Sequence, residues 1–123
     1  MSAITIDPHV EGRLQTERNI WLATTRPNGS PHLAPIWFVW HGGRVYICTE
    51  AQSVKVRNLV ANPNATAALE DGDAPVVIEG QARLIDRVSE DVVHAFQRKY
   101  DWDIATDGQY NQVIEIVPHR IRA

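Results

Sequence analysis

The residues best equipped for chemistry lie together in Thr49-Glu50-Ala51-Gln52-Ser53-Val54-Lys55-Val56-Arg57-Asn58-Leu59. A strand-like run ends at Thr49, hydroxyl groups stand at Thr49 and Ser53, and a helix-like run begins behind Ser53. The start of a helix presents N–H groups without partners and the positive end of its dipole, and both attract an anion. Lys55 adds a full charge in the first turn. Arg57 and Asn58 extend the set of donors, and Lys55 shares a helix face with Asn58 three positions on. The pattern describes a phosphate clamp. On spacing alone, an ordinary surface helix with solvated cations fits it equally well.

A second candidate lies upstream. Pro35 has no N–H, and beside it Ile36 and Trp37 present backbone and bulk suited to lying along a flat heterocycle. Trp21, Trp37 and Trp40 also suit core filling or a dimer contact, and that reading is preferred for Trp21 and Trp40. Other chemistries lack their signatures. There is no Gly-x-Gly-x-x-Gly, no Gly-x-x-x-x-Gly-Lys-Ser/Thr and no Gly-x-Ser-x-Gly. Histidines 9, 32, 41, 94 and 119 are scattered without metal-ligand spacing, so no metal site is expected. The lone Cys48 reads as an inert, buried strand cysteine.

The elements that must position these residues follow from periodicity. Asp7 to Glu17 reads as a short amphipathic helix, with Asp7 as cap, Pro8 in the first turn, and Val10 and Leu14 on one face. Ile20 to Thr25, the turn Arg26-Pro27-Asn28-Gly29-Ser30, Pro31 to Trp40, the turn at Gly42-Gly43, and Arg44 to Thr49 read as a three-stranded meander. Asn28-Gly29 suggests a tight hairpin with positive φ angles. The nearly unbroken apolar run of Pro31 to Trp40 suggests a strand covered on both faces. Gln52 to Ala61 is a helix capped by Ser53 and stopped by Asn62-Pro63. Strands resume at Ala65 to Leu69 and Val76 to Ile85, where Gly80 marks a bulge or a close backbone approach. Ser89 to Tyr100 is a helix, and Gln112 to Val117 is the final strand.

Six strands with short hairpins and no strand-helix-strand rhythm define a mainly β class: a six-stranded antiparallel barrel with short helices. At 123 residues the chain forms one domain, residues 1–123. The net charge of −3 argues against nucleic acid as a partner. No apolar run is long enough for a membrane span, and no leader pattern precedes the first helix, so a cytoplasmic protein is expected.

In order and spacing, several segments together resemble the pyridoxamine 5'-phosphate oxidase-like split-barrel family, especially its flavin/deazaflavin (F420) oxidoreductase branch. They are Asn19-Ile20-Trp21-Leu22-Ala23-Thr24-Thr25, Asn28-Gly29-Ser30-Pro31-His32, Pro35-Ile36-Trp37-Phe38, Val45-Tyr46-Ile47-Cys48-Thr49, Ser53-Val54-Lys55-Val56-Arg57-Asn58-Leu59, Asn62-Pro63 and Glu79-Gly80-Gln81-Ala82. The resemblance covers residues 14 to 86. It implies a six-stranded split barrel and a homodimer with cofactor grooves between protomers. It also implies that Ala34, Pro35, Ile36 and Trp37 lie along a ring system and ribityl chain, while Thr49, Ser53, Lys55, Arg57 and Asn58 hold a phosphate. The implied cofactor is F420, with FMN as the other candidate. The implied activity is hydride transfer between that cofactor and a small organic acceptor, and no catalytic side chain is assigned. His32 and Tyr46 receive no role, and Trp102 and Tyr110 are read as packing in preference to groove lining. The chain ends Val117-Pro118-His119-Arg120-Ile121-Arg122-Ala123, without the Arg-x-His-Asp-Arg-like segment that grips a pyridoxal ring, so vitamin B6 oxidation is not expected. The alternatives are a non-catalytic module that binds a flavin, F420 or a tetrapyrrole, and a dimeric structural protein with an empty groove.

Overall fold

The computed structural model describes residues 5–123. Helix α1 (Pro8–Thr16) begins where the Asp7 carboxylate accepts the His9 N–H at 2.7 Å, with Pro8 in the first turn and Val10 and Leu14 buried. Strands β1 (Asn19–Thr25) and β2 (Pro31–Trp37) follow. In the loop between them only Gly29 has a positive φ, 89°. The hairpin is therefore closed by one left-handed glycine, not by a two-residue Asn-Gly turn. β3 (Val39–His41) and β4 (Arg44–Thr49) are joined by Gly42 and Gly43 at φ 59° and 76°, the turn whose twist matches its strands.

After β4 come α2 (Val54–Ala61), β5 (Asn64–Leu69), β6 (Val77–Ile85), α3 (Glu90–Tyr100), a single 3-10 turn (Ile104–Thr106) and β7 (Gln112–Arg122). All the strands form one antiparallel sheet in the order β2-β1-β5-β6-β7-β4-β3. Its two outermost strands are neighbours in the chain, so the sheet curls back on itself around a core that includes Leu14, Ile20, Phe38, Ile47, Ile78 and Ile114.

There are seven strands, not six, because the run Pro31 to Trp40 is broken at Phe38. The Phe38 N–H donates to Tyr100 Oη at 3.0 Å, and its carbonyl accepts Lys99 Nζ at 3.0 Å. Side chains from the end of α3 thus take the groups that a strand ladder would have used. Among the described residues β2 then pairs only with β1, and β3 only with β4. Nor is the run covered on both faces: in β2, Leu33 is 61% exposed and Trp37 40%. The final strand is also longer than Gln112 to Val117, continuing to Arg122 beside β6.

Gly80 marks the bulge expected of it. The β6–β7 register shifts between Glu79 and Gly80, and a Cβ on Gly80 would run into the Val117 carbonyl. On the outer face of β7 the buried carboxylate of Glu115 accepts Arg83 Nε at 2.9 Å, Tyr46 Oη at 2.8 Å and Arg44 at 3.2 Å. α2 packs against β1 and β6, and Trp40 Nε1 donates to Glu11 of α1 at 3.0 Å. No helix among the described residues is long and apolar enough to cross a membrane.

Candidate functional site

A cleft of about 820 Å³ opens where β2, β4, α2 and the segment after α3 converge. The sequence dictates its polar corner. β4 ends in Thr49, which is buried, and the backbone turns through Glu50 to Ser53. Ser53 caps α2, its hydroxyl accepting the Val56 N–H at 3.4 Å. Lys55 then lies in the first turn and reaches back, Nζ donating to Thr49 Oγ1 at 3.3 Å. No acid stands in that first turn. Burial pushes the Lys55 ammonium below its ordinary value, with nearby Glu50 opposing the shift. Among the described residues Lys55 has no carboxylate within ion-pair distance.

The rest of the lining is aromatic. Trp37 at the end of β2 stacks on Tyr100 at the end of α3, with ring centroids 4.5 Å apart and planes 10° from parallel. Trp102 meets Trp37 edge-on at 6.1 Å and Tyr110 at 5.9 Å. The chain can turn there because α3 stops at Asp101, in the left-handed region at φ 52°. One carboxylate then organises the loop: Asp107 accepts Trp102 Nε1 and the N–H groups of Gln109 and Tyr110, each at 2.9 Å. Hydrogen bonds from the Tyr110 backbone, the Trp102 side chain and the Gln109 backbone hold its carboxyl below the usual range.

Behind this wall, Tyr100 Oη lies 2.7 Å from the Phe38 and Arg18 carbonyls. Burial pushes the phenol up to about 12. Lys99 rests 3.9 Å from the Phe38 ring centroid, its ammonium brought down to about 8 chiefly by burial and also by Arg18. Burial also pushes the Cys48 thiol up to about 11, consistent with an inert cysteine.

Of the residues singled out in the sequence, the fold brings Ile36, Trp37, Thr49, Ser53 and Lys55 together around the cleft. Ala34 and Pro35 sit on the same edge strand outside it, and Arg57 is exposed on α2. Asn58 is buried and donates to Thr24 Oγ1 at 3.0 Å, tying α2 to β1. His32 and Tyr46 do not line the cleft. Trp102 and Tyr110, read as packing, line it from the same chain as Lys55, together with Tyr100, Asp101 and Asp107. The density of aromatics and aspartates between the α3 stop and β7 was the signal available in the sequence.

The donor set suits a phosphorylated planar group. A half-buried amine, two hydroxyls and a helix N-terminus face one corner. β2 has a partner strand on one side only, leaving backbone groups on its other edge.

The class defined here is a mainly β protein whose antiparallel sheet curls on itself and carries this cleft. The chain belongs to the pyridoxamine 5'-phosphate oxidase family, whose model matches residues 6–123. Three solved structures are similar along nearly the whole chain. An F420 reductase has 22% identity and a TM-score of 0.76, covering 95% of this chain and 98% of its own. A conserved hypothetical protein from Mycobacterium tuberculosis has 26% identity and a TM-score of 0.77, covering 98% and 84%. HutZ, the heme storage protein from Vibrio cholerae, has 18% identity and a TM-score of 0.79, covering 98% and 95%. Comparison with curated proteins finds no match.

Proposed function

We propose that this chain is an oxidoreductase that binds F420 or FMN, with the cofactor's phosphate at the Lys55 corner and its ring beside Ile36 and Trp37. The observation that carries the reading is Lys55: a half-buried cation aimed at a buried hydroxyl, with no acidic partner among the described residues. Removing a charge from water is costly unless something pairs with it, and a phosphate would supply the missing partner. Thr49, Ser53 and the first-turn N–H groups of α2 add donors, and Ala34 and Pro35 continue the ring-side strand. Arg57 adds positive potential from the exposed face of α2, whereas Asn58 fixes the helix through Thr24.

When bound, such a cofactor supplies hydride transfer at its ring; the protein supplies position, electrostatics and exclusion of water. No side chain is assigned as acid or base. The similarity to an F420 reductase makes F420 the first cofactor to try. A haem reading is less well served by this cleft, because no histidine is among its lining residues and the Cys48 thiol is held protonated. Association as a homodimer belongs to the same proposal, since Trp21 and Leu33 stand exposed on the outer face of β1 and β2.

The test is titration of purified protein with F420 and FMN, followed by fluorescence. Saturable binding of one cofactor is expected. Lys55→Ala should weaken it by about 1.5 to 3 kcal/mol, the worth of a hydrogen bond to a charged group, and more than Arg57→Ala does. Equal affinity in Lys55→Ala and the parent would overturn the assignment.

A further inference from the structure

The proposed cofactor accounts for the polar corner through its phosphate and for Ile36 and Trp37 through its ring, which leaves Trp102 and Tyr110 on the cleft lining without an occupant. Trp102 and Tyr110 come from the loop after α3, and Tyr110 is 40% exposed although three hydrogen bonds to Asp107 hold this stretch in place. A rigid aromatic surface left facing an open cleft is a prepared seat for another flat molecule. Its charge is informative too. Among the described residues, Glu50, Asp101 and Asp107 line the cleft against the single cation Lys55. Arg18 lies 5.2 and 4.8 Å from the ring centroids of Trp37 and Tyr100, outside the lining, with its NH1 on the Lys99 carbonyl. Lys99 lies behind Tyr100, on the carbonyls of Phe38 and Leu14. Once a phosphate neutralises Lys55, the lining carries only carboxylates.

We infer that the aromatic wall seats the second reactant, an uncharged planar ring compound bound beside the cofactor, and that Asp107 is the positioning residue for this wall. The inference rests on the phosphate reading of the Lys55 corner for its word "second". The seat itself rests on Trp102 and Tyr110, with Trp37, backed by the buried Tyr100, at the border with the cofactor ring. Asp107 acts by fixing the Trp102 indole and the Tyr110 backbone together, and its charge, held on the lining, repels anionic rings.

The test uses two probes with the same ring and different charge, 2-naphthol and naphthalene-2-sulfonate, near neutral pH. Each is titrated into the full chain with and without saturating FMN, followed by tryptophan fluorescence and ligand-observed NMR. 2-Naphthol should bind about ten-fold or more tighter than the sulfonate, and FMN should not displace it. Trp102→Ala should weaken 2-naphthol about five- to ten-fold, the worth of one good aromatic contact. Should that variant not fold, Tyr110→Ala at its exposed position carries the same expectation. Asp107→Asn should narrow the preference for the uncharged probe. Equal affinity for the two probes, competitive displacement by FMN, or unchanged 2-naphthol binding in the folded aromatic variant would overturn the seat. If neither F420 nor FMN binds while the 2-naphthol pattern persists, the cofactor reading falls and the seat stands.

Discussion

At the scale of single residues, the half-buried Lys55 and the buried Glu115 behave oppositely. Lys55 is a cation without a carboxylate partner among the described residues, and burial depresses its pKa. Only its protonated form attracts a phosphate. Cofactor affinity should therefore hold near neutral pH and fall as pH rises through that depressed value, earlier than an exposed lysine would allow. In Lys55→Ala the alkaline fall should vanish, which a series of titrations at increasing pH will check. Glu115 is the reverse case. Burial alone would raise its carboxyl, but hydrogen bonds from Arg83, Tyr46 and Arg44 outweigh burial and hold it below the usual range. A depressed carboxylate lends stability above its unfolded pKa and loses it as pH falls through the folded one. Glu115→Gln should cost about 1 to 2 kcal/mol at neutral pH, discounted because Arg44 and Arg83 remain partly hydrated. Its acid denaturation should also become less steep, as read from urea melts at several pH values.

At the scale of elements, the bend at Phe38 controls the geometry of the cleft, because Trp37 precedes it and Tyr100 both stacks on Trp37 and binds Phe38. Tyr100→Phe keeps the ring and strips the hydroxyl. It should cost about 1 to 3 kcal/mol, the penalty for leaving a buried backbone group unpaired, visible as a lower Tm. An unchanged Tm would mean that the bend is held by other contacts. The helices were legible in the sequence because their signals are local: Asp7 and Ser53 each cap the helix expected of them, and the helix expected from Ser89 starts with Ser89 as its cap. The break in Pro31 to Trp40 was not legible, because its cause lies in Lys99 and Tyr100, some sixty residues downstream. For the same reason Ile36, Trp37, Thr49, Ser53 and Lys55 could be picked out from their own segments. Trp102 and Tyr110 were weighed as groove lining and read as packing, since their place on the wall exists only once the loop after α3 meets Trp37.

At the scale of the whole molecule, the outer face of β1 and β2 leaves the large apolar side chains Trp21 and Leu33 exposed. Trp21 stands opposite Pro35 and next to Ala68, and Ala23 stands opposite Leu33, forming a continuous patch across three strands. Contiguous apolar surface of this kind marks an association site. Trp21→Glu combined with Leu33→Glu should convert the proposed homodimer into folded monomer in sedimentation experiments; an unaltered mass would exclude this face as the contact.

The position of β7 matters for the molecule's integrity. It is the last element in chain order yet lies inside the sheet, between β6 and β4. A chain clipped ahead of Gln112 would expose two raw β edges, each shaped to accept the same missing segment. Such edges recruit strands from other molecules, so damage at this one junction would turn a self-contained barrel into a unit that swaps strands with its neighbours.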